Sequence, residues 1–109
     1  MHVKHLVLFK FKLSTPRETI GEIFEDLDHL PDKIPGLLDF HGGPYRSPEG
    51  LNQGFTHGFV MTFADPESRD VYIDHPEHEK VVAKILPELE GGLDGAIAFD
   101  FEVNDRFRY

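Results

Sequence analysis

Apolar and polar residues alternate along Val3 to Leu13, which predicts a strand. Its odd positions carry Val3, His5, Val7, Phe9, Phe11 and Leu13. The even positions are Lys4, Leu6, Leu8, Lys10 and Lys12, so the middle of the second face is apolar too. A sheet covered by helices on one side needs a single apolar face. Leu6 and Leu8 therefore predict that another subunit covers the second one. A helix follows, with Thr15 as N-cap, Pro16 at the first helical position and Glu18 closing a capping box. Ile20, Ile23, Phe24, Leu27 and Leu30 form its apolar stripe, and Pro31 ends it.

Leu37 to about Tyr45 predicts a second strand, in which Gly42-Gly43-Pro44 points to a bulge or an edge position. A polar loop from Ser47 to Gly54 leads to a third strand, Phe55 to Phe63, with His57, Phe59, Met61 and Phe63 on one face. Asp65-Pro66 caps a short helix to about Asp74, and Pro76 starts another to about Leu86. The last strand, Ala96 to Val103, alternates Ile97, Phe99, Phe101 and Val103 with Ala98, Asp100 and Glu102. The tail from Asn104 to Tyr109 is expected to fray or to dock on a partner. The order is βαββαβ with the second helix split. This is an α+β, ferredoxin-like arrangement: a four-stranded antiparallel sheet with helices on one face. Two such sheets packed face to face would give an α/β barrel dimer.

Composition narrows the function. A chain of 109 residues is one domain, 1–109, with a thin core that oligomerisation would reinforce. A net charge of −9 disfavours nucleic acid, and Lys4, Lys10 and Lys12 read as a solvated strand edge. Without cysteine, no disulfide or thiolate chemistry is available. No apolar run reaches membrane length, and the start of the chain, broken by His2, Lys4 and His5, reads as no secretory signal. The expected location is the cytoplasm.

Seven histidines are many for such a chain. His2, His29 and His41 fall in surface contexts. His5, His57 and His78 fall on apolar faces, and Tyr72 brings a phenol to the neighbourhood of His78. Buried imidazoles need partners or a solvated cavity, so these four groups mark either a polar network or a ligand pocket. His75 takes the N-cap before Pro76, an unusual choice that suggests a specific contact. Imidazoles also bind metals, but the i, i+3 spacing of His75 and His78 is not a His-Glu-x-x-His helix, and no metal is assigned.

Several segments resemble the stress-responsive A/B barrel (Dabb) family. They are His5-Leu-Val-Leu-Phe-Lys-Phe-Lys12, Lys33-Ile-Pro-Gly36, Ser47-Pro-Glu-Gly-Leu-Asn52, Phe55-Thr-His-Gly58 and Tyr72-Ile-Asp-His-Pro-Glu-His78. The resemblance spans about Val3 to Val103 and implies a ferredoxin-like monomer in a dimer whose sheets form a barrel. His5, His57, Tyr72 and His78 are also similar to the family's plant cyclase type, which makes olivetolic acid. That likeness implies His78 as base, Tyr72 as its polarising partner, and His5 and His57 lining a pocket. Phe24, Leu27 and Phe59 on the inward apolar faces are the expected ligand-binding neighbours. The cyclase type has a pocket tyrosine where this chain has Leu27, which leaves the substrate open.

Three readings stand at this point. The first is a homodimer of the family with a small apolar pocket and no assigned reaction. The second is a cofactor-free cyclase, lyase or isomerase acting on a carbonyl-containing ligand through His78 and Tyr72. The third is an assembly or protective protein whose histidines only hold the helices on the sheet.

Overall fold

A computed structural model describes residues 1–103, and the tail expected to fray or dock lies outside the described residues. The elements run β1 (Val3–Phe9), α1 (Arg17–His29), β2 (Leu37–Pro44), β3 (His57–Phe63), α2 (Pro66–Ile73), α3 (Pro76–Ile85) and β4 (Ala96–Glu102). The strands form one antiparallel sheet in the order β2-β3-β1-β4. This is the ferredoxin-like βαββαβ fold, with the second helix divided at Asp74 and His75.

The pleat decides which side chains meet the helices. Val3, Val7 and Phe9 of β1 and Phe59, Met61 and Phe63 of β3 are buried under them. Ile23 and Leu27 of α1, Tyr72 of α2, and Val81 and Ile85 of α3 close over that face. On β4 the helix side holds only Ala96, Ala98, Asp100 and Glu102, which pair with Phe9, Val7, His5 and Val3. The larger β4 residues Ile97, Phe99 and Phe101 point the other way, opposite Leu8, Leu6 and Lys4. No element of the chain covers that second face among the described residues: Phe99 is 64% exposed, Phe101 47% and Leu8 41%.

Two local expectations need correction. The first strand ends at Phe9, not Leu13, because the chain then turns onto the segment after α3. Lys10 N–H donates to Gly95 O at 2.7 Å, and Phe11 forms a lone bridge with Leu89. Thr15 caps no helix: α1 begins at Arg17 after Pro16 and has no side-chain cap. The Thr15 hydroxyl reaches Glu88 instead, at 3.2 Å from its carbonyl and 3.1 Å from its carboxylate, so a tertiary contact takes the group that the capping box needs. Of the two alternatives for Gly42-Gly43-Pro44, the edge position holds: β2 is an edge strand, and its register irregularity falls between Leu37 and Asp39.

Candidate active site between the sheet and the third helix

The small side chains of β4 leave space. Between α3 and the β1–β4 half of the sheet lies a cavity of about 210 Å³. Its walls are apolar, with Val7, Phe9, Leu27, Phe59, Val81, Ile85 and Leu89 among them, and its polar lining comes from His5, Tyr72 and His78. Larger residues in place of Ala96 and Ala98 would fill it. Ala98 is exposed, so the cavity opens along the β4 edge.

Local structure aims each polar group. Asp65 accepts a hydrogen bond from Ser68 N–H and caps α2, and Pro66 fits its first turn. That helix carries Tyr72 inward, where it is 2% exposed. The His75 N-cap accepts from Glu77 N–H through Nδ1 at 3.1 Å, which accounts for the unusual cap residue and starts α3. One turn on, His78 stacks against Tyr72 with ring centroids 4.1 Å apart and a 36° interplanar angle.

The bonding of each ring fixes its protonation. His78 Nδ1 lies 3.0 Å from Ile73 O. A carbonyl only accepts, so Nδ1 carries the proton and Nε2 keeps a lone pair. Burial pulls His78 below the ordinary histidine value; the Ile73 bond opposes this and a charge on His5 would add to it. The ring is therefore neutral near pH 7. Burial pushes the Tyr72 phenol far up, and the nearby Asp100 carboxylate adds to the effect, so the phenol stays protonated. Among the described residues the Tyr72 hydroxyl has no hydrogen-bond partner, although its ring is enclosed.

His5 is held differently. Its Nδ1 lies 2.6 Å from Asp100 Oδ1, and Arg69 Nη1 donates to Asp100 Oδ2 at 2.7 Å. The His5 ring sits edge-on to Tyr72 at 5.7 Å. Neither Asp100 nor Arg69 figured among the residues expected from sequence. The signal was available for Asp100, which alternates onto the helix side of the last strand and needed only a partner strand to face His5.

His57 and Phe24 do not join this group. They line a separate groove of about 510 Å³ with Arg17, Ile20, Gly42 and Pro44, on the other side of α1. There His57 Nδ1 lies 2.9 Å from Thr56 Oγ1, its ring packs edge-on against Phe11, and burial lowers its pKa. Leu27 and Phe59 do line the cavity beside His5, Tyr72 and His78. Among the described residues no cluster of three or more histidine and acidic side chains is arranged to hold a metal ion, and no helix is long and apolar enough to cross a membrane.

The family model for the stress responsive A/B barrel domain matches residues 3–103. The chain belongs to that family. The Arabidopsis thaliana stress-response A/B barrel domain-containing protein HS1 is 35% identical over 100 residues, covering 92% of this chain and 88% of the relative. The olivetolic acid cyclase of Cannabis sativa is 33% identical over 78 residues, covering 72% of this chain and 77% of the cyclase. Among solved structures, a protein of unknown function from Jannaschia sp. CCS1, described as dimeric and ferredoxin-like, superposes with a TM-score of 0.86 at 31% identity, covering 94% of this chain and all of that one. The chain is thus similar both to a cyclase and to proteins with no stated reaction.

Proposed function

We propose that this A/B barrel protein is a homodimer that binds a small, mainly apolar, carbonyl-containing ligand in the cavity of each subunit and moves a proton beside the carbonyl. One observation carries the reading: Tyr72 and His78 stack at 4.1 Å, yet the phenol proton and the His78 Nε2 lone pair are both left unspent on protein partners among the described residues. A network that merely holds helices would spend these groups on one another, as His5 is spent on Asp100.

The chemistry follows from the two protonation states. With the ligand carbonyl on the Tyr72 hydroxyl, neutral His78 Nε2 takes the proton from the adjacent carbon. The C–H electron pair becomes the enolate, whose oxygen charge the phenol stabilises. The imidazolium then returns the proton to carbon or to a leaving group. No cofactor is needed for this sequence. A cavity of about 210 Å³ is below the roughly 300–1,000 Å³ of drug-sized sites and suits a compound of about ten heavy atoms. Leu27 in its wall favours an apolar ligand body over a further hydroxyl. The dimer half of the proposal is supported by the bare face of Leu8, Ile97, Phe99 and Phe101, and by relatives described as dimers. The reading keeps the cytoplasmic location expected from composition.

The test is hydrogen–deuterium exchange at the methyl group of acetophenone in heavy water, followed by proton NMR. The protein is expected to speed exchange, and His78→Ala and Tyr72→Phe are each expected to slow it by about 10²-fold or more. Exchange no faster than buffer, with acetophenone shifting the His78 and Tyr72 signals, would reduce the reading to ligand binding. No shift at those residues would end it.

A further inference from the structure

Lys10 clamps both ends of one loop, residues 90–95. Its N–H donates to Gly95 O at 2.7 Å, and its carbonyl accepts from Glu90 N–H at 2.8 Å. Glycine is required at Gly95 for these ends to lie side by side, because a Cβ there would come within 2.6 Å of Glu90 O and 3.1 Å of Lys10 O. Between the fixed ends the loop is held loosely. Gly91 and Gly92 take φ values of 73° and 62°, in the left-handed region that glycine enters without strain. Gly92 N–H donates to Leu89 O at 3.1 Å and Asp94 N–H to Gly91 O at 3.3 Å, the second beyond the usual range for such bonds. At the tip, Leu93 is 73% exposed, yet it lines the cavity together with buried Leu89 and half-buried Leu86.

We propose that residues 90–95 form a flap over the cavity mouth, and that Leu93 closes on the apolar part of a bound ligand. Such a flap presupposes the cavity ligand proposed above. The physical reason is apolar surface left in water at the edge of an apolar site. A leucine is stabilised by burial only where an apolar partner is within reach, and the ligand body supplies that partner. Ile73 and Ala98 are the other exposed members of the lining, so these three residues mark the mouth. The glycines let the tip turn while Lys10 holds both ends, so the motion stays within the loop and leaves the sheet register untouched.

Closure acts on chemistry and on selectivity together. The β1–β4 register sets Asp100 beside His5 and Ala96 beside Phe9, so the polar groups and the flap lie toward opposite ends of β4. A ligand with its carbonyl on Tyr72 therefore turns its apolar body toward Leu86, Leu89 and Leu93. With the mouth shut, water is kept from the carbonyl, and a hydrogen bond from the Tyr72 hydroxyl is stronger in the drier site. Ligands whose body does not reach Leu93 forgo both effects, which makes Leu93 a specificity-determining residue.

The experiment reads the exposure of leucine methyl groups by NMR with a soluble gadolinium chelate, on the full chain with and without saturating acetophenone. Without acetophenone the Leu93 methyl signals should be strongly attenuated, like those of exposed Leu13. With acetophenone the attenuation at Leu93 should fall several-fold while that at Leu13 stays the same. Leu93→Ala, a change at an exposed position, should weaken acetophenone binding by about tenfold, followed through the His78 signals. Equal attenuation of Leu93 with and without acetophenone, while the His78 and Tyr72 signals move, overturns the flap and leaves the ligand reading standing. Leu93 shielded before acetophenone is added overturns it too, because another part of the assembly then covers the tip. Shielding that follows acetophenone, with Leu93→Ala binding as tightly as wild type, overturns the contact between Leu93 and the ligand. Acetophenone that moves neither His78 nor Tyr72 ends the ligand reading itself, and the flap with it.

Discussion

His5 Nδ1 and Asp100 Oδ1 meet at 2.6 Å across neighbouring strands, 95 positions apart in sequence. The pair ties the first strand to the last at the inner wall of the cavity. Removing one partner strands the other in a mostly enclosed site. Asp100→Ala is expected to cost about 1–3 kcal/mol in urea unfolding, the usual penalty for orphaned buried polar groups. A loss below about 0.5 kcal/mol would show that water replaces the carboxylate freely.

Tyr72 separates function from packing. Its ring is buried, but its hydroxyl has no partner among the described residues. Tyr72→Phe should leave the urea midpoint nearly unchanged while removing exchange activity on acetophenone. Tyr72→Ala should destabilise by about 3–5 kcal/mol, as large aromatic truncations in cores do. A marked stability loss in Tyr72→Phe would return the phenol to a structural role.

The cavity depends on alanines. Ala98→Leu places a larger side chain where the wall opens beside Val7. The fold should survive, because Ala98 is exposed at the cavity mouth. Acetophenone-induced shifts of His78 in NMR should disappear. Retained shifts would show that the ligand reaches His78 without occupying the space beside Ala98.

The bare sheet face predicts assembly. Phe99 lies midway along the edge strand β4 on that face, paired with Leu6. Wild type should sediment as a dimer at micromolar concentration, and Phe99→Lys should sediment as a monomer with an unchanged circular dichroism spectrum. A monomeric wild type would leave this face without its proposed occupant.

Acid should affect the protein through two histidines. Burial lowers the pKa of both His57 and His78 below the ordinary 6.5. Above pH 6.5 each ring is neutral in folded and unfolded chains alike, so neither costs stability. As the pH falls from 6.5 through the folded values, the unfolded chain binds protons that the folded chain resists, and stability declines. Exchange activity needs neutral His78, so its acidic limb should have a midpoint below 6.5. Replacing His78 by Asn should flatten the stability loss in that window, measured by urea unfolding at pH 7 and pH 5.5; an unchanged slope would assign the loss to other groups.

Period-two and helical patterns were enough to give the element order and the inward faces, because burial is written residue by residue in the alternation of Val3 to Phe9 and the stripe from Ile20 to Leu30. The bare second face was legible for the same reason, in Leu6, Leu8, Ile97, Phe99 and Phe101. Where the outcome depended on which distant group competes for a side chain, the pattern was silent. Thr15 bonds Glu88 rather than a helix end, and the first strand stops when Lys10 pairs with Gly95. The candidate site divides along the same line. Local sequence places His5, Tyr72 and His78 on inward faces, but strand order and helix docking decide that they share one cavity, that Asp100 and Arg69 hold His5, and that His57 and Phe24 line another groove. One-dimensional periodicity determines which way a side chain points, and only the packing of separate elements decides what it meets.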